Sequence, residues 1–246
     1  MLFYLMNIEI DKDFALLYGI MLGDGCLCKV NRKDRPSKYK FISITCSLDD
    51  DVPFFEQVVL PILEKLTQRK IKFIFRKDCR AIEIKLHNVE LFDFIHSLGF
   101  PIGKKENKLA IPKIFYDKEL VNYVISGFFA TDGSLVLTNN NGTLYPRLEV
   151  HAICKELLIE THKYLVNQGM NGAFYESKRV NISPGAFREV HPKYRFQFNG
   201  KHNLFLFEKL IGFSNPAYQK KFEFYNQIYG GTENRTRDLS LMRAAY

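Results

Sequence analysis

The chain has 246 residues, 46% hydrophobic and 25% charged, enough for one large or two ordinary folded domains, which excludes an intrinsically disordered chain. Lys and Arg total 35 against 27 Asp and Glu; the net charge of +8 suits a polyanionic partner, because basic side chains displace counterions from phosphate backbones. No apolar run approaches the roughly 20 residues of a membrane span, and the opening MLFYLMNIEI lacks a basic n-region and a small-residue cleavage site, so the expectation is an intracellular protein of the cytoplasm, nucleoid or organelle matrix, neither secreted nor membrane-bound.

In chain order, Asp11 or Asp13 can cap a helix that runs through Leu22. CLCKV and KYKFISIT then read as two strands joined by the polar NRKDRPS. Asp50 or Asp51 caps the helix VPFFEQVVLPILEKLTQ, with Pro53 suited to its first turn and Pro61 kinking it. IKFIF and RAIEIKLH alternate as a hairpin around Lys77-Asp78, and Asn88 caps a helix to Ser97. The second half gives the same order. Leu120–Ala130 is helical, SLVLT and RLEVHA pair around the loop NNNGTLYP, and Lys155–Gln168 is helical up to Gly169. GAFYESK and KYRFQFN pair across a longer Pro-containing loop, and Asn203–Leu210 is helical. The fold class is therefore α+β: two pseudo-symmetric αββαββα halves, each a four-stranded antiparallel sheet with helices on one face.

The chain repeats itself. YVISGFFATDGSL (Tyr123–Leu135) answers ALLYGIMLGDGCL (Ala15–Leu27), with Gly127, Thr131 and Asp132-Gly133 each 108 residues after Gly19, Gly23 and Asp24-Gly25. HNVELFDFIHSLGF (His87–Phe100) resembles HNLFLFEKLIGF (His202–Phe213), and after each Gly-Phe come a Pro and a lysine pair, in PIGKK and in PAYQKK. Ordered matches at nearly constant offset mark two homologous halves, expected at 1–112 and 113–230, with 231–246 a polar, flexible tail.

The sheet face turned away from the helices is mixed and donor-rich. Ile42 and Ile44, or Leu148 and Val150, can face the helices while Ser43 and Thr45, or Arg147, Glu149 and His151, point away; Lys72 and Arg76 sit opposite Glu83 and Lys85. Such groups on a basic chain suit the edges of bases in a major groove. The candidate DNA-binding residues of the first half are Lys29, Arg32, Lys33, Arg35, Lys38, Lys40, Ser43, Thr45, Lys72, Arg76, Lys77, Arg80 and Lys85. Those of the second half are Ser134, Thr138, Arg147, Glu149, His151, Lys178, Arg179, Lys193, Arg195 and Gln197. The 35 Tyr and Phe are read mostly as core, as at Phe54, Phe55, Phe92 and Phe94.

Five cysteines (Cys26, Cys28, Cys46, Cys79 and Cys154) are odd in number and without pairing rhythm, which points to a reducing compartment. Cys26-x-Cys28 has neither a second pair nor a nearby His to complete a zinc set. The acids are more informative. Gly19 and Gly23 lie four apart and share a helix face, as do Gly127 and Thr131; small residues there let two backbones approach closely. Each helix ends in Asp-Gly, with the glycine free to turn left-handed. Packing the helices in parallel brings Asp24 and Asp132 together. Two such carboxylates repel, and a divalent cation shared with phosphate oxygens resolves the repulsion.

LYGIMLGDG (Leu17–Gly25) and ISGFFATDG (Ile125–Gly133) resemble the two signature motifs of monomeric, double-motif LAGLIDADG homing endonucleases, and the resemblance extends from about Asp11 to Tyr229. It implies a saddle-shaped monomer with the signature helices at its interface and two sheets straddling a long DNA site. It implies a site-specific, intron-encoded nuclease that cuts both strands across the minor groove and leaves 3′ overhangs. Asp24 and Asp132 would bind catalytic Mg2+, with the carbonyls of Gly23 and Thr131 nearby; Mn2+ would substitute, and Ca2+ would support binding without cleavage. The family tends to place a lysine near each active site after the third helix. GKKENK offers Lys104 or Lys105, of which Lys105 is taken; YQKKFEF offers Lys220 or Lys221, of which Lys220 is taken. The chain departs from the family where members often carry Gln near the end of each second strand: Cys46 and Ala152 stand there, with Ser47 or His151 as substitutes. The partner implied is double-stranded DNA, with no membrane and no protein partner required. The alternative is an RNA maturase of the same fold, which binds host intron RNA and assists splicing without cutting DNA; survival of both motif acids favours the nuclease. A DNA-binding regulator would carry an added helix-turn-helix and an intein-embedded nuclease flanking splicing blocks; the sequence shows neither.

Overall fold

A computed structural model describes residues 8–30, 39–76, 79–105, 109–177 and 193–230. Asp11 caps the first helix, α1 (Lys12–Asp24), by accepting from the Phe14 amide at 2.9 Å. Strands β1 (Gly25–Val30) and β2 (Tyr39–Ser47) follow, then α2 (Val52–Phe54), a π-helical turn at Phe55–Val59 and α3 (Leu60–Thr67). The expected kink is this turn: Pro61 cannot donate to the helix ladder, and the wider ring, in which the Leu60 amide reaches the Phe55 carbonyl, absorbs the defect. Strands β3 (Ile74–Arg76) and β4 (Ala81–Leu86) and helix α4 (Val89–Ser97) complete the first half, with Asn88 capping α4 by accepting from Leu91 at 2.8 Å. The second half contains α5 (Lys113–Asp117), α6 (Val121–Asp132), β5 (Gly133–Asn140), β6 (Thr143–Ala152), α7 (Lys155–Asn167), β7 (Gly172–Ser177), β8 (Lys193–Asn199), α8 (Lys201–Leu210) and α9 (Pro216–Tyr229).

Each half holds one antiparallel sheet, in the orders β1-β2-β4-β3 and β5-β6-β8-β7. Ile42, Ile44, Ile82 and Ile84 of the first sheet, and Leu148, Val150, Phe196 and Phe198 of the second, are buried against helices. Full burial of one such side chain is worth about 1.5–3 kcal/mol.

Two expectations are corrected here. The loop expected over NNNGTLYP is a two-residue hairpin turn at Asn141-Gly142, both at positive φ (50° and 86°), and the flanking residues are strand, down to Pro146 paired with Leu137. Asn-Gly is the residue pair that such a turn requires. In β3, Ile74 faces Glu83 and Arg76 faces Ala81, while Lys72 precedes the strand; the expected pairing of Lys72 and Arg76 with Glu83 and Lys85 is displaced. PAYQKK opens α9: Pro216 fits its first turn, and Asn215 caps it by accepting from Ala217 at 2.9 Å.

Helices α1 and α6 pack against each other more extensively than any other pair of described helices. They run in parallel and meet through the small residues. A Cβ on Gly19 would collide with the Val124 carbonyl oxygen and stand 2.8 Å from the Phe128 amide nitrogen; one on Gly127 would collide with the Leu16 carbonyl and stand 2.9 Å from the Ile20 amide nitrogen. These contacts are twofold-related, since Leu16, Gly19 and Ile20 correspond to Val124, Gly127 and Phe128 at the same offset of 108. At Gly23 the neighbour is instead a side chain, Thr131, whose Cβ would lie 2.7 Å away. Backbone cannot yield as a side chain can, so Gly19→Ala is expected to cost more stability than Gly23→Ala. For Gly19→Val, overpacking should cost about 3 kcal/mol and lower Tm by about 6–12 °C, measured by calorimetry.

Candidate active site

Asp24 and Asp132 are the last residues of α1 and α6, and the seam brings them to one place. A Cβ on Gly23 would lie 3.3 Å from Asp132 Oδ1, so the second carboxylate stands beside the residue that precedes the first. Gly25 and Gly133 do not turn left-handed as expected. Their backbones are extended (φ −83° and −87°), and each amide closes on the helix, to Met21 O and Phe129 O. Glycine is needed there for space: a Cβ would stand 2.7 Å from Met21 Cε in one half and 2.6 Å from Phe129 Cγ in the other.

Lys105 joins the carboxylates. Its Nζ donates to the carbonyls at the end of α1, those of Leu22 (3.1 Å), Met21 (3.3 Å) and Gly23. A cation at a helix C-terminus complements the orphan carbonyls and the macrodipole. Burial pushes Asp24 up to about 7, with Asp132 adding to the rise and Lys105 opposing it. Burial likewise pushes Asp132 up to about 6 against the pull of Lys105. Lys105 itself is lowered by burial, against the pull of Asp132 and Asp24.

Sequence reasoning missed three groups at this centre. Asp51, considered only as a helix cap, accepts from the Ser47 amide at 3.2 Å, acts electrostatically on Asp24 and is itself raised by burial. Asn215 donates to Ala130 O at 3.1 Å, and Tyr218 donates to Gly133 O at 2.6 Å. Lys104 is exposed, as is Lys220 on α9, while Lys221 donates to Leu135 O at 3.3 Å. The structure thus brings Lys105, and not Lys220, to the carboxylates. Cys46 is buried near Asp51 and Asp24, whose charges act on its thiol, and His151 lies 3.8 Å from Glu149.

The outward sheet faces carry most of the DNA-binding candidates that lie within the described residues. In the first sheet Ser43 donates to Glu83 at 2.7 Å and Lys85 stands 3.2 Å from the same carboxylate; Thr45 is cross-strand neighbour to Glu83. Arg76 lies on this face, and Arg80, at the strand turn, pairs with Asp49 at 2.6 Å. In the second sheet Ser134, Thr138, Arg147, Glu149, His151, Arg195 and Gln197 share the face, with Arg147 3.2 Å from Glu149 and Arg195 stacked over Tyr175 at 4.8 Å. Two residues do not belong there. Lys40 alternates with Ile42 onto the helix side, where it pairs with Asp93 of α4 at 2.5 Å, and its strand partner Lys29 shares that side. The period-2 pattern carried this signal, since Lys29 is in phase with buried Leu27. Arg32, Lys33, Arg35, Lys38, Lys77, Lys178, Arg179 and the side chain of Lys193 lie outside the described residues, as does the tail 231–246.

The donor set is oxygen-rich: two recessed carboxylates and helix-end carbonyls, of which Gly23 O already accepts from Lys105. Among the described residues no three His, Cys, Asp or Glu side chains form a ready-made metal cluster. The pair therefore fits a hard divalent cation that fills the rest of its shell with water or phosphate, as Mg2+ does.

The chain matches no protein-family model and no curated protein sequence. Solved structures do match. I-DmoI in complex with DNA and Ca aligns with a TM-score of 0.58 at 16% identity, over 87% of this chain and 97% of that one. The LAGLIDADG homing endonuclease I-LtrWI bound to target DNA gives 0.57 at 10% identity, and the LAGLIDADG meganuclease I-AabMI bound to uncleaved DNA gives 0.56 at 12%, each over 90% of this chain and 92% of that one. The fold is that of the LAGLIDADG homing endonucleases. Structures of I-DmoI have also been solved with Mn and with Mg. No described helix of this chain is long and apolar enough to cross a membrane.

The raised carboxylates give a pH prediction. Each binds its proton more tightly folded than unfolded, so its contribution to stability is full below about pH 4 and is lost as pH rises through the folded values near 6 and 7. In EDTA, the melting difference between wild type and Asp24→Asn should therefore widen from pH 5 to pH 8 in favour of the variant, and Mg2+ should narrow it at pH 8.

Proposed function

We propose that this chain is a divalent-metal-dependent, site-specific DNA endonuclease of the homing type. The observation that supports it best is the convergence of Asp24, Asp132 and Lys105 at the seam of two halves, each with a donor-rich sheet face. When bound, the metal ion supplies Lewis-acid polarisation of a phosphoryl oxygen and an acidified water. Asp24 and Asp132 would hold that ion, with the carbonyls of Gly23 and Thr131 as the further oxygens the motif offers. In the hydrolysis a water oxygen would join phosphorus as the bond to O3′ breaks, and a proton from that water would end on O3′, giving a 5′-phosphate and a 3′-hydroxyl. The Lys105 ammonium steadies the charge that develops on the phosphate. The two sheet faces bind the flanking duplex: basic side chains contact phosphate, and the side chains around Glu83 and Glu149 contact base edges. We read the double-strand cut as leaving 3′ overhangs and the chain as an intron-encoded monomer with Mn2+ able to replace Mg2+. The basic charge and the two sheets fit structured RNA as well, so a chain that binds its intron RNA and never nicks DNA is the maturase outcome of the test.

Cleavage selection on a randomised duplex library with Mg2+ tests this. Asp24→Asn and Asp132→Asn should each lower double-strand cutting by at least about 100-fold while Ca2+-supported binding changes little. Full cutting by either variant refutes the assignment.

A further inference from the structure

The two ends of the seam are not chemically alike. Lys105 follows the Gly-Phe of the first half by five residues, and its equivalent at the offset of 113 set by the two Gly-Phe pairs is Tyr218, not Lys220. The geometry agrees with that alignment. Lys105 donates to the last carbonyls of α1, including Leu22 O; at the last turn of α6 the equivalent carbonyl, Ala130 O, accepts from Asn215, and Gly133 O accepts from Tyr218. The Tyr218 phenol lies within electrostatic reach of Asp51, Asp24, Asp50 and Asp132, on the same seam that Lys105 meets from the other helix end. Its ring is fixed by Phe129 at 5.7 Å. Lys221 donates to Leu135 O at 3.3 Å with its Nζ 5.8 Å from the centre of the Tyr218 ring, so it packs behind the phenol, and Lys220 is exposed.

We infer that Tyr218, held with Asn215 against the end of α6, occupies the place of a second active-site lysine, so that the two cleavage centres are unequal. The centre at the end of α1, which has Lys105, cuts its strand first; the centre at the end of α6, which offers a neutral phenol and amide, cuts second. At each centre the same bonds change: a water oxygen joins phosphorus, the O3′ bond breaks, and O3′ takes the proton. Only the side chain that meets the developing charge differs. This rests on the nuclease reading.

The test uses the full chain and a supercoiled plasmid that carries a duplex selected from a random library by Ca2+-supported binding. With Mg2+, wild type should accumulate nicked circles, with one strand cut on the order of tenfold faster than the other. Lys105→Met should slow the fast strand selectively, and Tyr218→Lys should speed the slow one. A readout independent of cutting accompanies these: in Ca2+, the slope of log binding constant against log salt should steepen by about 0.9 for Tyr218→Lys and become shallower by about 0.9 for Lys105→Met. Equal rates for the two strands in wild type overturn the inference and leave the nuclease reading standing. So does a Lys220→Ala or Lys221→Ala variant that slows the second strand as strongly as Lys105→Met slows the first. A wild type that binds the duplex and cuts neither strand overturns both.

Discussion

The centre of the molecule depends on two backbones coming closer than side chains permit. Helix α1 meets α6 where Gly19 faces the peptide groups of Val124 and Phe128, and Gly127 faces those of Leu16 and Ile20. A helix interior that accepts Gly gives up about 1 kcal/mol relative to Ala, and α1 accepts it twice. What is gained is position. Both carboxylates are carried on the last turns of helices whose separation is fixed by backbone contact, so neither can drift from the other without lifting the whole seam. Rigid placement on helices rather than loops is what a site needs when its ligands repel each other in the absence of a cation.

That repulsion explains the surroundings. Burial drives both acids toward protonation, Asp132 adds to the rise at Asp24, and Lys105 offsets part of the cost by supplying one positive charge for two negative ones. The remainder is answered by protons or, under the proposed function, by a divalent ion, so that stability here depends on pH. Asp51 works against the compensation by adding another acid to the same region.

Much of this was legible in the sequence because it rests on local spacing. Glycines four apart, followed by Asp-Gly, recur at one offset; helix caps at Asp11 and Asn88 need only a side chain and an amide three residues on. The strands were found by alternation. What was not legible depended on register between distant segments. The second lysine pair looks like the first as a string, yet three extra residues before it shift Tyr218, rather than a lysine, into the place of Lys105. Lys40 reads as one more cation in a basic stretch until strand phase turns it onto Asp93. Asp51 lies far in sequence from Asn215 and Tyr218, so no spacing rule joins them. The Asn-Gly turn is different: its signal was present, and the surrounding Asn and Pro residues obscured it.

The two sheets share one topology and differ in what they display. The first presents Ser43, Glu83 and Lys85; the second presents Arg147, Glu149, His151 and Arg195. Two identical subunits would have to change together, so any surface they read must itself be a dyad. Joined in one chain, the halves vary separately, and under the proposed function the duplex they grip need not be a palindrome.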